Sequence, residues 1–146
     1  MAENSILNLM ISHHALIDAL FSLFRDEVRE KSPRARASLS ELDWELKKHW
    51  FAEENAIFNF LPLKNIEIWK TINHLKDEHL TMLNDLKKFS ESLLEIKGNE
   101  IENFYKLLED HRATEEKDLY PKLDKELREE QKAQIISRIN EIPINT

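Results

Sequence analysis

Cysteine is missing from all 146 residues of the sequence. Disulfide bonds, thiolate zinc sites, iron–sulfur clusters and a cysteine nucleophile are therefore excluded. Nitrogen and oxygen atoms remain as the possible ligands if the chain binds a metal.

Glycine and proline are scarce, with one glycine and four prolines. Few positions are suited to tight turns, and this composition favours long helices over a sheet. One glycine cannot build a glycine-rich phosphate loop, and the chain has no His-Glu-x-x-His motif of a zinc hydrolase. The Glu-x-x-His motif of ferritin-type di-iron proteins is also absent.

The chain also has no excess of basic residues. Its 28 acidic residues outnumber its 21 basic residues, and the net charge is −7. A nucleic acid or an anionic membrane needs a basic face, so neither is expected as a partner. The N-terminus has no basic leader, and Asn8, Ser12 and two histidines interrupt its apolar run. We therefore expect neither a secretory signal nor a membrane span. We expect the protein to be cytoplasmic.

Apolar residues recur at steps of three and four over four long segments, the spacing of one helical face. The segments begin near Ser5, Pro33, Asn65 and Asn99. Pro62 is expected to end the second helix. Gly98 is expected to supply a left-handed residue after the third helix, and Pro121 is expected to lie near the end of the fourth helix.

The pattern predicts an all-α fold, an antiparallel up-and-down four-helix bundle with an additional C-terminal helical segment. We expect residues 1–146 to form one domain, with the bundle at about 5–122 and the tail at about 123–142. The tail is amphipathic, so it either packs across the end of the bundle or pairs with a second subunit in a homodimer.

Two segments share the pattern His-x-x-x-Glu-Glu, "HWFAEENAIF" from His49 and "HRATEEKDLY" from His111. Each places a glutamate, Glu53 or Glu115, four residues after the histidine and so on the same helical face. As a surface pair this arrangement is worth only about 0.2–0.5 kcal/mol. Both glutamates lie on apolar stripes, however, and a buried carboxylate is unfavourable unless it is paired or bound to a cation.

Histidines also lie on the apolar stripes of the first and third helices, so histidine or carboxylate ligands are expected from all four helices. Cations would remove the repulsion between two facing carboxylates. The sequence therefore predicts a metal site from His14, His49, Glu53, His79, His111 and Glu115.

His13 also lies on an apolar stripe and competes with His14 for the position on the first helix. Glu54 is expected to matter little.

The chain resembles a hemerythrin-like domain, the family also called the HHE cation-binding domain, over about residues 5–122. The resemblance is carried by "HHALIDALF", "HWFAEENAIF", "DEHLTML" and "HRATEEKDLYP". It implies a non-haem di-iron centre, in which Glu53 and Glu115 bridge two iron ions. The terminal ligands that it implies are His14, His49, His79 and His111.

The third helix departs from oxygen carriers, which have His-x-x-x-His there, because Leu75 precedes His79 by four positions. The nearest substitute is His74, five positions before His79, with a surface position as the plainer interpretation. Oxygen carriers place the carboxylate of the fourth helix five residues after the histidine, so Glu116 competes with Glu115.

Three classes of function follow as hypotheses. The first is a di-iron protein that binds a small diatomic ligand, O2 or NO, for sensing, storage or delivery. The alternative is a di-iron oxidoreductase that acts on NO or peroxide or in the repair of iron centres, which would need an electron-donor protein. The third is a metal-free bundle that acts through its surface.

Overall fold

The computed structural model describes residues 5–62 and 64–141. Within these ranges the chain is helical and contains no strand, so the predicted all-α class is confirmed. The α-helices are α1 (Ile6–Arg29), α2 (Ala35–Ala52), α3 (Ile66–Glu91), α4 (Gly98–Thr114), α5 (Tyr120–Glu126) and α6 (Glu129–Glu141). Two π-helical turns, Glu53–Ile57 and Glu115–Leu119, follow α2 and α4 directly.

Side-chain caps begin two of these helices where the sequence predicts them. The Ser5 hydroxyl accepts a hydrogen bond from the backbone N–H of Asn8 at 3.0 Å, which satisfies a free donor in the first turn of α1. The Asn65 side chain accepts from the N–H groups of Glu67 and Ile68 at 2.9 and 3.3 Å. Local chemistry is therefore sufficient to begin α1 and α3.

The predicted left-handed conformation of Gly98 is wrong, because Gly98 is the first residue of α4 and no described glycine has a positive φ. The α3 helix has already ended at Glu91, and extended backbone at Ile96 redirects the chain without a left-handed residue. Among the residues that the structure describes, the one with positive φ is Lys31, at 53°, between α1 and α2.

Helical structure continues past Pro121, where the sequence places the end of the fourth helix. Pro121 lies in the first turn of α5, where its missing N–H removes no intrahelical hydrogen bond. The end of the helix at Glu126 puts the expected boundary near residue 122 inside α5. The last helix, α6, packs Ile135 and Ile139 into the core of its own chain, while residue 142 of the expected tail lies outside the described residues.

Two apolar clusters form the core on either side of a polar layer. On α1, Met10 belongs to one cluster and Ile17 to the other, with His14 between them. On α3, Leu75 and Met82 flank His79 in the same way. The histidine that interrupts each apolar stripe is thus brought to a common level in the middle of the bundle.

By length and composition α1 would also suit a membrane span, because an 18-residue window in it has a mean hydropathy of 1.4. Core helices of soluble proteins pass the same test, and this helix lies near the N-terminus. The buried face of α1 is occupied by core residues and by His14. Packing within the described chain accounts for part of its apolar character, because 28% of the window is buried and Ile11, Leu16 and Leu23 are exposed.

Asp124 joins the beginning of α1 to α5, a contact that the sequence did not indicate. Its carboxylate accepts from the N–H groups of Ile6 and Leu7 at 2.8 and 3.1 Å and from the Ser5 hydroxyl at 3.1 Å. A negative charge at a helix N-terminus is stabilising because free N–H groups and the helix dipole face it.

Asp124→Ala is accordingly expected to lower the free energy of unfolding by about 2 kcal/mol, since two backbone donors lose their acceptor. Urea denaturation of the metal-free protein measures the change. The matched control is Glu126→Ala, an exposed position on the same helix, which should have little effect. Equal stabilities of the two variants would contradict a capping role for Asp124.

Candidate metal centre

All six predicted ligand residues meet in the polar layer, and each is at most 5% exposed. Their side chains form two overlapping groups in which the nearest ligand atoms lie within 4.8 Å of one another. One group contains Glu53, His79, His111 and Glu115, and the other contains His14, His49 and Glu115. Glu115 belongs to both groups.

The group of His14, His49 and Glu115 brings together histidine nitrogens from α1 and α2. Nε2 of His14 lies 3.2 Å from Nε2 of His49 and 3.1 Å from Oε1 of Glu115. Two nitrogens that each lie about 2.1 Å from one first-row cation are roughly 3.0–3.4 Å apart. The separation of the two imidazoles therefore fits two ligands of a single ion.

The larger group repeats this geometry on α3 and α4. Nε2 of His79 lies 3.1 Å from Nε2 of His111 and 3.2 Å from Oε1 of Glu53. Oε2 of Glu115 lies 3.3 Å from Nε2 of His111, so the two oxygens of Glu115 face one histidine in each half. Oε1 of Glu53 is also 3.7 Å from Nε2 of His49.

Glu115 shows that the arrangement suits a cation. Both of its oxygens are buried and make no hydrogen bond of acceptable direction, although nitrogens of His14 and His111 lie within 3.3 Å. A buried carboxylate without directed partners is strongly unfavourable unless a cation binds it. The residues present therefore fit a metal with mixed nitrogen and oxygen ligands.

Without metal, burial and neighbouring charges shift the pKa values of the histidines and of Glu115 in the polar layer. Burial by itself lowers the pKa of His111, but the charge of Glu115 and the hydrogen bond to Glu78 raise this pKa to about 10. Burial raises the pKa of Glu115, and the nearby His111 outweighs it and holds the pKa well below its usual value. Burial lowers the pKa of His49 to about 3. A metal must displace the protons of the cationic histidines, because only unprotonated imidazole binds.

Three further carboxylates hold the outer nitrogens of the histidines. In a metal centre such a bond fixes the orientation and tautomer of the imidazole. The Nδ1 to carboxylate distances are 2.6 Å for His14 and Glu116, 2.7 Å for His79 and Glu54, and 2.9 Å for His111 and Glu78. The sequence offered Glu116 only as a competitor of Glu115 and did not single out Glu78. The contact of Glu54 with His79 was not expected, and a mild effect of removing Glu54 stays a prediction.

The structure also separates the competing candidates. His14 faces the centre, whereas the half-buried His13 lines a cavity outside it. Glu115 lies in the centre, and Glu116 contacts the outer nitrogen of His14. The side chain of His74 is 63% exposed and lies 3.4 Å from Glu78, so it occupies the surface position of the plainer interpretation.

Each bridging candidate is the first residue of a π-helical turn, a second feature that the sequence did not signal. The turns begin at Glu53 and at Glu115. Such turns are rare, and they are frequently found at functional sites. Their occurrence in both halves matches the repeated motif.

Tyr120 is a further member of the site that the sequence did not predict. Its ring is fully buried and its hydroxyl donates a hydrogen bond to Oε2 of Glu53. Burial and the charges of Glu115 and Glu53 raise the pKa of Tyr120 well above its ordinary value. The hydroxyl therefore keeps its proton and orients the Glu53 carboxylate.

Removal of an outer carboxylate is expected to weaken metal binding without removing any ligand. Glu78→Gln should lower the apparent affinity for Co²⁺ by about 10- to 100-fold. Glu54→Gln should have a smaller effect, because the Glu54 side chain is 37% exposed whereas that of Glu78 is 14% exposed. Anaerobic titration monitored by Co²⁺ absorption measures both. The reverse order would contradict this account of the outer carboxylates.

Comparison with known families identifies one match, to the hemerythrin HHE cation-binding domain, over residues 5–123. Comparison with curated proteins gives no match, nor does comparison with solved structures. The match spans the helices that carry all six predicted ligand residues. The chain therefore belongs to the hemerythrin HHE cation-binding domain family, as its four motifs predicted.

Proposed function

We propose that the protein holds two non-haem iron ions between its helices and binds O2 or NO there, for sensing, storage or delivery. The observation that carries the proposal is the pair of buried ligand groups that share Glu115. The proposed ligands are His14, His49, Glu53, His79, His111 and Glu115. The antiparallel four-helix arrangement belongs to the proposal, and contacts of α1 with α2 and of α3 with α4 support it.

Two ions are proposed because the imidazoles form two pairs. His14 and His49 approach each other on one side, and His79 and His111 on the other. Glu115 directs one oxygen to each pair, which is the position of a bridging carboxylate. Imidazole and carboxylate ligands without thiolate suit iron and also other first-row metals, so the identity of the metal rests on the family.

Iron supplies the exchange of electrons with O2 or NO, and the protein controls what reaches it. A cavity of about 10 Å³ adjoins His14, His49, His111 and Glu115. This volume is near the lower limit for one water-sized molecule. So small a space supports a ligand of very few atoms over a larger substrate.

Apolar and aromatic side chains surround the polar layer and limit its hydration. The Trp50 ring stacks on His79 with centroids 5.2 Å apart. On the outer side of the small cavity, Arg112 forms ion pairs with Asp18 and Glu109. These residues keep the imidazoles oriented and shield the centre from bulk water.

A di-iron oxidoreductase that acts on NO or peroxide is the second candidate. The observation that favours it is the protonated Tyr120 hydroxyl on Glu53, since reduction of either substrate consumes protons. Turnover would also require an electron-donor protein. Sustained consumption of NO or peroxide with a chemical reductant would distinguish this function from reversible binding.

Metal content tests the proposal directly. Protein produced in iron-replete medium is expected to contain close to two iron ions per chain, because both ligand groups are preformed. Elemental analysis of the purified protein measures the ratio. Absence of iron, or zinc alone after anaerobic loading with Fe²⁺, would refute the proposed centre.

A further inference from the structure

We propose that His13 is a positioning residue for the metal centre, because its imidazole accepts a hydrogen bond from Nδ1–H of His49 when Nε2 of His49 binds metal. The inference rests on the proposed metal centre and adds to it a residue that is not itself a ligand.

The outer nitrogen of His49 differs from those of the other three histidines. His14, His79 and His111 each direct Nδ1 to a carboxylate at 2.6–2.9 Å. Nδ1 of His49 is buried and has no hydrogen-bond partner among the described residues. A buried polar atom without a partner is uncommon and unfavourable, so an acceptor nearby is expected.

Metal binding strengthens the need for a hydrogen-bond acceptor near Nδ1 of His49. Nε2 of His49 faces His14 and Glu53 in the centre, so the metal takes this nitrogen. A neutral imidazole has one proton, which must then reside on Nδ1 and makes it a donor. The missing partner is therefore an acceptor that lies on the outer side of the His49 ring.

His13 is the residue whose position meets this requirement. Its ring is nearly edge-on to that of His49, with centroids 5.6 Å apart and planes at 71°. A hydrogen bond between imidazoles, with nitrogens about 3 Å apart, holds the ring centres roughly 5 Å apart. Beyond this separation, the proposal requires a rotation of the His13 ring that directs a nitrogen toward Nδ1 of His49.

The surroundings leave room for that rotation. His13 and His49 both line a cavity of about 240 Å³ between α1, α2 and α6. The same cavity is lined by three further side chains that carry an acceptor, Ser12, Asn140 and Glu45. Glu45 precedes His49 by one helical turn. Its two oxygens lie 3.3 and 3.1 Å from Nζ of Lys48, so this carboxylate is already engaged.

The hydrogen bond can be observed directly in a diamagnetic metal complex. Protein labelled with ¹⁵N-histidine and loaded with Zn²⁺ should show a nitrogen–nitrogen coupling across the bond between His49 Nδ1 and a His13 nitrogen. Absence of this coupling in the Zn²⁺-loaded protein would overturn the inference. A chain that takes up no Zn²⁺ and no Fe²⁺ would overturn the proposed centre and the inference together.

Variants provide a second, independent measurement. His13→Leu removes the acceptor and should lower the affinity for the second Zn²⁺ ion by roughly tenfold or more. His13→Gln, whose amide oxygen accepts, should restore most of that affinity. Glu45→Gln is the matched control at the same cavity and should bind both ions normally.

A purely structural role for His13 would give a different pattern. Loss of packing would lower the melting temperature of metal-free His13→Leu, and His13→Gln would not restore metal affinity. The inference predicts equal melting temperatures for the metal-free proteins and a difference confined to metal binding. Weakening by Glu45→Gln alone would instead identify Glu45 as the acceptor and refute the assignment to His13.

Discussion

Protein with Glu115→Gln is expected to bind at most one iron ion per chain. Glu115 belongs to both ligand groups, and each of its oxygens faces a histidine of a different pair. The amide nitrogen of glutamine does not bind a cation, and the loss of negative charge weakens the remaining position too. Elemental analysis after anaerobic loading with Fe²⁺ measures the change.

Glu53→Gln should also lower the iron content, because one oxygen of Glu53 lies 3.2 Å from Nε2 of His79. The matched control is Glu102→Gln, at an exposed position on α4, which should retain two ions. If both buried variants retain as much iron as the control, Glu53 and Glu115 do not bridge the ions.

Reduced, iron-loaded protein is expected to autoxidise soon after exposure to O2 and to bind NO more durably. The reason lies on α3, where Leu75 is buried in the apolar core and His74 is largely exposed. The third helix therefore contributes one histidine to the centre, and oxidation should be faster than release of O2. Stopped-flow absorption of anaerobically reduced protein should show at most a short-lived band.

Leu75→His tests this explanation by adding an imidazole four residues before His79. The variant should autoxidise more slowly than the original chain if the number of histidines limits the lifetime of bound O2. An unchanged melting temperature would show that the core accepts the substitution. A stable band in the original protein that disappears under vacuum and returns with O2 would contradict our account of α3.

Much of the site was predictable because its strongest signals are local. His49 and Glu53 are one helical turn apart, as are His111 and Glu115, and the interruption of an apolar stripe by a histidine marks a buried polar residue. The structure brings all six predicted residues together. Their role as iron ligands remains a proposal until metal is measured.

The residues that were missed act between helices, where sequence spacing carries little information. Glu54 was expected to matter little, yet it contacts His79 on another helix at 2.7 Å. Tyr120 was not singled out from the sequence, yet its hydroxyl donates a hydrogen bond to Glu53. The partner of each group lies far away in the chain, so no periodic pattern connects them.

The sequence by itself determined the helical class, the caps at Ser5 and Asn65, the family and the histidine and glutamate types available to a metal. These properties depend on composition and on contacts within one or two helical turns. Only the tertiary structure decided between His13 and His14, gave Glu116 its place beside the centre and left Nδ1 of His49 without a carboxylate. Adjacent residues on a helix differ in direction by about 100°, so the rotation of each helix and its π turn determine which one faces its neighbours.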